Sequence, residues 1–494
     1  MAHSGTPHFH NTEGLKRIEV GSKEFMCVGA LPPFDHPHIY IDMGKDSEAV
    51  CSYCSTHYIF NPELAPGMSQ PLSAVYQAEH ACSFPMAAGR TIYLAGAGIA
   101  GMTLALALAK FGATVVVLER NPKVQEVGAG LQISPNARRV LNQLGLDKAI
   151  STRSFEPQAI DVYPYRAKRP VVSLELGGVM RRRYGVPYAV MHRADLADAL
   201  YRACKRFANI DLLFNVRSFD AVNHARGTSL VLDEAAGTSR SARVFALVGA
   251  DGVRSETRTR VLNGPAASYS GFVAWRTTVS MDLMKGVLAS DRTTMLLAPG
   301  YHAVCYPLPS RKQFNIALFV KQKADALASD NPPREPVLPW AAAASPVFEK
   351  IISLAKGGWG YWIVDTVDAP VWSDGGVGLI GDAAHAMLPF QAQGAAMGIE
   401  DAAILAPLLM TEPDAASAFR RFEAMRRPRV DRVRKISDFN GFAYHMEWPF
   451  TLGRNAVLKM QGPHGHLKRL DWLYGFDAAP EPAVPLPDRS ARQT

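Results

Sequence analysis

At 494 residues the chain is longer than a single domain usually runs, and 48 % hydrophobic with 20 % charged residues fits globular units with large cores. The net charge of +8 is modest for this length; it allows attraction to anionic cofactors, acidic substrates or a membrane surface, and gives no indication of nucleic-acid binding by itself. No stretch has the ~18 apolar residues of a membrane span, so no transmembrane segment is expected.

The N-terminus, MAHSGTPHFHNTEG, lacks the basic-then-apolar pattern of a signal peptide, and residues 1–14 read as polar and disordered. Six cysteines are too few and too unevenly spread for a disulfide scaffold, so a reducing cytoplasm is the expected setting. Three of them cluster early. Cys27, His36, Cys51 and Cys54 have the spacing C-x8-H-x14-C-x2-C, and the Cys51-Ser52-Tyr53-Cys54 knuckle points two thiolates at one place. Cys27 and His36 can supply the other two corners of a tetrahedron, with His38 and His57 as alternatives to His36. His38–Asp42 and Tyr58–Phe60 read as short strands. So short a piece buries little core, and a metal staple would supply the missing stability. This stretch resembles the CHCC zinc domain of the small zinc-binding accessory subunit of respiratory complex I. The resemblance implies a structural Zn2+ over residues 1–65 and admits contact with a respiratory-chain partner.

Residues 66–89 carry Pro66, Pro71, Pro85, Gly67 and Gly89 with little periodicity and read as a linker, in which Cys82 is a free thiol. Then TIYLA, GAGIAG, an Ala/Leu-rich segment to Lys110, and Val115–Leu118 closed by Glu119 read as strand, glycine turn, helix and strand. Gly96 allows the tight turn, Gly98 lets the backbone approach a pyrophosphate, and Gly101 lets helix and strand pack closely. Glu119, about 20 residues on, stands where a carboxylate meets ribose hydroxyls. A dinucleotide site is expected here.

Gly128 and Gly130 suit backbone close to a ligand, and Ser134-Pro135-Asn136 starts a helix. Ile160–Tyr163 and Val171–Leu176 read as strands. Arg193 opens a helix reaching about Phe207; it reaches a phosphate or flavin edge, or is a solvated helix-start arginine. Ala246–Gly249 and Val377–Ile380 are strands ending in Asp251 and Asp382, where α/β sheets usually meet ligands. Phe272–Val279, Thr293–Leu297, Tyr301–Tyr306 and Gln313–Val320 alternate as sheet strands, so His302, Val304 and Tyr306 share one face. His302 and Tyr306 are either a pair that binds and deprotonates a phenol or two ordinary sheet residues. The basic run Arg420–Lys435, interrupted by Pro428, is a solvated helix face or a site of membrane or NAD(P)H attraction. Residues 476–494 read as a Pro-rich disordered tail.

GAGIAG, Glu119-Arg120, GAGLQISPNA, His192–Leu196, GADGVRS, Gly271–Arg276 and GDAAHAMLPFQAQGAAMGIEDA, in this order, resemble the class A flavoprotein aromatic hydroxylases of the para-hydroxybenzoate hydroxylase group. Within it they are most similar to the salicylate hydroxylase and 6-hydroxynicotinate monooxygenase subgroup. The resemblance spans about residues 90–475. It implies an α/β fold: a doubly wound, Rossmann-like FAD sheet with a mixed-sheet substrate domain, behind the small zinc domain. It implies FAD at Gly96, Gly98, Gly101, Glu119, Arg120, Gly130, Arg193, Asp382 and Gly394, Asp251 in a motif linked to FAD and NAD(P)H, and His302 and Tyr306 at the substrate. The implied reaction is reduction of FAD by NAD(P)H, addition of dioxygen at flavin C4a and hydroxylation of a small aromatic, phenolic acid-like substrate. A lipophilic-ring hydroxylase of the ubiquinone pathway is the neighbouring alternative, with peripheral membrane contact; a homodimer is compatible with either. Ala386 stands where the subgroup usually has proline, which bears on the pocket's shape.

Overall fold

The computed structural model describes residues 6–30, 35–76, 89–124, 130–224, 227–234, 239–324, 335–355 and 358–478. Among these, six strands form one sheet in the order Ile210–Phe214, Thr114–Glu119, Thr91–Ala95, Ala246–Gly249, Val377–Leu379, Ser373–Asp374. All neighbours are parallel except the last pair. Buried on both faces, its strands are apolar runs rather than alternating ones, as parallel strands require. The fingerprint helix, Ile99–Lys110, packs in this core, and its Ala/Leu composition suits a helix buried almost all round.

A second sheet of seven strands among the described residues runs Val172–Glu175, Ala159–Pro164, Thr293–Ala298, Tyr301–Leu308, Gln313–Lys321, Ser268–Ser280, Gly360–Thr366. It is antiparallel apart from the Ala159–Pro164 and Thr293–Ala298 pair, so it is the mixed sheet expected. A short ribbon, Gly130–Ile133 against Ala189–His192, lies in the stretch between the first sheet's fingerprint unit and the later strands.

The central helix, Gly394–Thr411, packs on the fingerprint helix at a point where side chains are absent. A Cβ on Gly398 would lie 2.9 Å from the Ala100 Cβ, and one on Gly381 3.1 Å from it. Among the described residues the central helix alone is long and apolar enough to cross a membrane, and 72 % of it is buried inside the protein.

The long helix, Ala415–Tyr444, differs from the sequence expectation: it continues through Pro428. An interior proline costs roughly 3 kcal/mol. Anchors on both sides offset it. Arg426, fully buried, donates Nη1 to Glu400 and Nε to Asp401 at 2.7 Å each, and Arg429 grips Glu400 through Nε at 2.8 Å and Nη2 at 2.7 Å. Asp401 also accepts from His385 Nε2 at 2.7 Å and Gly381 N at 2.9 Å, and Glu400 from Asn136 Nδ2 at 2.6 Å.

The N-terminal unit has a core of Phe9, Ile18, Val20, Phe25, Cys27, Met43, Cys51 and Tyr58. Residues expected to be disordered are in it: His8–His10 pairs with Glu24–Gly29 because Phe9 is fully buried against Phe25 and Tyr58. Ser69–Gln70, in the stretch read as linker, pairs with Arg17–Val20. Cys82 and the tail from 479 lie outside the described residues.

Removing Arg426 leaves two buried carboxylates short of a cation, so Arg426→Ala is expected to lower the unfolding free energy by about 3–5 kcal/mol in urea titration. Burial raises the Asp401 pKa, but His385 and Arg426 outweigh it and hold it down at about 2. A depressed carboxylate stabilises fully above its unfolded pKa of 3.8, and its contribution is expected to vanish as pH falls from about 4 to about 2.

Candidate active site and metal centre

The glycine turn has no room for side chains. A Cβ on Gly96, whose φ is +106°, would sit 2.6 Å from the Ala250 carbonyl oxygen, and one on Gly101 would sit 2.1 Å from the Gly96 oxygen. Gly98 caps the fingerprint helix, and no side chain among the described residues satisfies its first-turn N–H groups. The central helix likewise starts at Gly394 behind Gln393 with no side-chain cap. Two uncapped helix N-termini favour bound anionic or polar groups. Glu119 lies beneath the turn: its Oε2 accepts from Ala97 N at 3.1 Å, and its Oε1 from Asn121 N at 2.9 Å. Arg120 follows, exposed. This tight glycine turn, with the helix start at Gly98 beside it and the Glu119 carboxylate beneath, fits a dinucleotide such as FAD. Asp251 does not face outward as an isolated acid. It holds its own turn, accepting from Ser255 Oγ at 2.6 Å and Thr257 N at 2.9 Å.

A cavity of about 1390 Å³ runs from Asp382 and the start of the central helix at Gly394 to the second sheet. Gly130, Arg193, Asp382 and Gly394 line it together with His302 and Tyr306. The strand alternation therefore brings His302, Val304 and Tyr306 to one wall, while Cys305 is buried on the other side of the strand. Ala392, in the loop before the central helix, also lines the cavity at φ +52°, a conformation costing about 1–2 kcal/mol for an L residue and typical of ligand clamps. Ala386 is buried and accepts from Val367 N at 2.8 Å, a bond that fixes the flanking loop.

His302 sits in an aromatic box. It stacks on Phe319 at 4.8 Å and meets Phe390 edge-on at 4.7 Å, and its Nδ1 is 2.9 Å from His445 Nε2. Burial, then the neighbouring His445, pushes its pKa well below the usual imidazole value. His445 is lowered to about 4, mainly by burial. Both rings are thus neutral near pH 7, and one N–H lies between them. Burial raises the Tyr306 pKa, so its hydroxyl stays protonated; it rests against Gly130, where an added Cβ would be 2.2 Å from the phenol oxygen.

Three features escaped the sequence reading. Arg276 lines the cavity with its Nε buried and unpartnered; it lies 5.8 Å from the Trp362 ring and has no carboxylate partner among the described residues. Burial lowers its pKa. The arginine was visible in the Gly271–Arg276 motif, but its lack of an acid is a tertiary fact. His445 lies 143 residues from His302 and had no local signal. Asn315, opposite Tyr306 in register, is buried with both amide atoms unpartnered.

In the N-terminal unit the sulfurs of Cys27, Cys51 and Cys54 lie within 4.8 Å of one another, Cys27 and Cys54 at 3.6 Å. Tetrahedral Zn–S bonds of about 2.3 Å would set sulfurs about 3.8 Å apart. With no cation beside it, the neighbouring Cys54 thiol, followed by burial, pushes the Cys27 pKa up, and a divalent cation inverts that balance. The three thiols fit structural zinc. The side chains of His36 and His38 lie outside the described residues. His57 is engaged elsewhere, 3.0 Å from Glu48.

Residues 90–437 match the FAD binding domain family, and residues 22–58 match a zinc-finger domain family. The chain is 32 % identical over 395 residues to 3-hydroxybenzoate 6-hydroxylase 1 of Aquipseudomonas alcaligenes, covering 78 % of this chain and 97 % of that one. It is 27 % identical over 406 residues to 6-hydroxynicotinate 3-monooxygenase of Bordetella bronchiseptica, covering 80 % and 97 %. Among solved structures, HpxO of Klebsiella pneumoniae with FAD and uric acid superposes with a TM-score of 0.68 at 22 % identity, over 79 % of this chain and 97 % of that one. A salicylate hydroxylase substrate complex gives 0.63 at 23 %, over 79 % and 96 %.

Gly101→Ala forces backbone apart at the turn and is expected to leave purified protein with a small fraction of the wild-type flavin-to-protein absorbance ratio. Cys51→Ser is expected to abolish bound zinc, measured by atomic absorption, while flavin content stays at the wild-type level.

Proposed function

Since the chain belongs to the FAD binding domain family and is an FAD-dependent, NAD(P)H-consuming aromatic monooxygenase behind a zinc-finger domain, we propose that it hydroxylates a phenolic carboxylic acid in the cavity beside His302. FAD, reduced by NAD(P)H, supplies the activation of dioxygen that delivers one oxygen atom to the ring. The cytoplasm is the proposed setting.

The observation that carries the substrate class is the pairing of Arg276 with His302 in one apolar cavity. A half-buried arginine whose Nε is buried and unpartnered, with no carboxylate partner among the described residues, calls for an anion, and the substrate carboxylate meets that need as a charge-assisted hydrogen bond. His302 is a neutral base at the wall; it takes the phenolic proton and makes the ring nucleophilic. His445 holds the imidazole ring in place through the 2.9 Å contact at Nδ1. Tyr306, un-ionised, donates a hydrogen bond. Phe319 and Phe390 hold the aromatic ring and keep water out. 3-Hydroxybenzoate and 6-hydroxynicotinate, in the names of two relatives, both combine a ring hydroxyl with a carboxylate.

The test is a panel of hydroxybenzoates and hydroxynicotinates screened for substrate-stimulated NAD(P)H oxidation, with products identified by mass as having gained one oxygen. Oxidation that yields only hydrogen peroxide across the panel would sink the reading. His302→Asn is expected to lower kcat about 10²- to 10⁴-fold. Arg276→Met is expected to act mainly on KM for acids and little on neutral phenols. Because the folded His302 pKa is depressed, the base stays unprotonated into acid, so the acidic limb of the kcat/KM profile is expected below pH 6.5.

A further inference from the structure

The C-terminal helical segment, Phe450–Tyr474, breaks at Gly462; the part after the break buries Leu467, Leu473 and Tyr474 in the usual way, whereas the part before it is inverted relative to an ordinary surface helix. Its inward side carries Thr451 and Arg454; Arg454 is buried and donates Nη1 to the carbonyls of Ala443 and Tyr444. Its outward side carries Leu452, Ala456 and Met460 at i, i+4 and i+8, with Leu452 64 % and Met460 85 % exposed. Trp448 just before it is 71 % exposed. On the last turns of the long helix Phe439 and Phe442 are exposed as well, their ring centroids 6.5 Å apart. An apolar ridge of this size is rare on a monomer without a partner.

Two further observations say what the partner is. Phe439, Phe450 and Val457 belong to the ridge and also line the cavity, so the ridge borders the cavity where it reaches the surface. Lys435 and Lys459 on the ridge's helices, and Lys468 and Arg469 past the break at Gly462, are exposed and have no ion pair among the described residues, against the acids Asp438 and Glu447; Asp471 is taken by Arg183. An apolar centre with a cationic surround fits an anionic bilayer, in which rings and aliphatic chains enter the interface and lysines meet headgroups. A second copy packed across a two-fold axis would oppose like charges.

We propose that this ridge docks on an anionic lipid bilayer and that the phenolic acid drawn through the mouth carries an apolar substituent which partitions into that bilayer. The substrate part of this proposal rests on the monooxygenase reading of the same cavity. The cavity's lining agrees with it: Ile160, Val162, Leu174, Met295, Leu297 and Leu458 give it an apolar wall in addition to the His302, Phe319 and Phe390 rings.

Docking is tested by co-sedimenting the full-length holoenzyme with phosphatidylcholine vesicles, with and without phosphatidylglycerol. Binding is expected with the anionic vesicles alone and is expected to weaken as salt is raised. The triple variant Trp448→Ser, Leu452→Glu, Met460→Glu changes no cavity-lining residue. It is expected to lower the vesicle-bound fraction about tenfold while keeping flavin content and turnover of a water-soluble phenolic acid. Equal binding of wild type and variant overturns the proposal. So does a wild-type dimer in sedimentation velocity that the variant converts to monomer, or vesicle binding that appears only after residues 479–494 are deleted. Soluble-substrate turnover is read separately, so loss of the monooxygenase reading and loss of the docking reading are told apart.

Discussion

A cluster of four charges, three of them buried, holds the enzyme together. Glu400 and Asp401 come from the central helix, Arg426 and Arg429 from the long helix, and Glu400, Asp401 and Arg426 are fully screened from solvent. Their formal charges sum to zero, and the remaining lone pairs are met by Asn136, His385 and the Gly381 N–H. That satisfaction is what makes buried charge tolerable. It also ties four separate segments to one point. The Gly381-Asp382 turn, the Gly394 helix start and the helix beginning at Pro135 are all fixed relative to the long helix, which crosses behind them.

From that point the glycine turn and the large cavity follow. Helices and strand meet closely at Gly96, Gly101, Gly381 and Gly398, where side chains would collide. The same closeness puts Asp382 and Gly394 on the wall that His302 and Tyr306 face from the second sheet. Electrostatics then divide the labour within the cavity. Burial keeps His302 and His445 neutral and Tyr306 protonated, and it lowers the pKa of Arg276 on the same cavity. The N-terminal unit is built differently. Its core is a handful of aromatics around Phe9, Phe25 and Tyr58, and its three thiols converge within that core, so the metal and the packing stabilise the same place.

The sequence by itself determined much of this. GAGIAG between an apolar strand and an Ala/Leu helix is dictated by backbone geometry, so the fingerprint, its helix at Ile99–Lys110 and its strands were readable within a residue or two. The period-two alternation of Tyr301–Leu308 put His302 and Tyr306 on one face because the strand pleat allows nothing else. The CxxC knuckle announced a metal by spacing alone. What only the tertiary structure decided depended on partners far away in the chain. A polar N-terminus became a strand because Phe9 found Phe25 and Tyr58 to bury against. Pro428 failed to end a helix because Glu400 and Asp401 held the residues on either side of it. His445 joined His302 across 143 residues, Arg276 was left without an acid among the described residues, and Leu452 and Met460 turned outward before the break at Gly462 because Arg454 was needed inside to satisfy the carbonyls that end the long helix. Local periodicity fixes which side of an element is apolar; only packing decides which side meets the core.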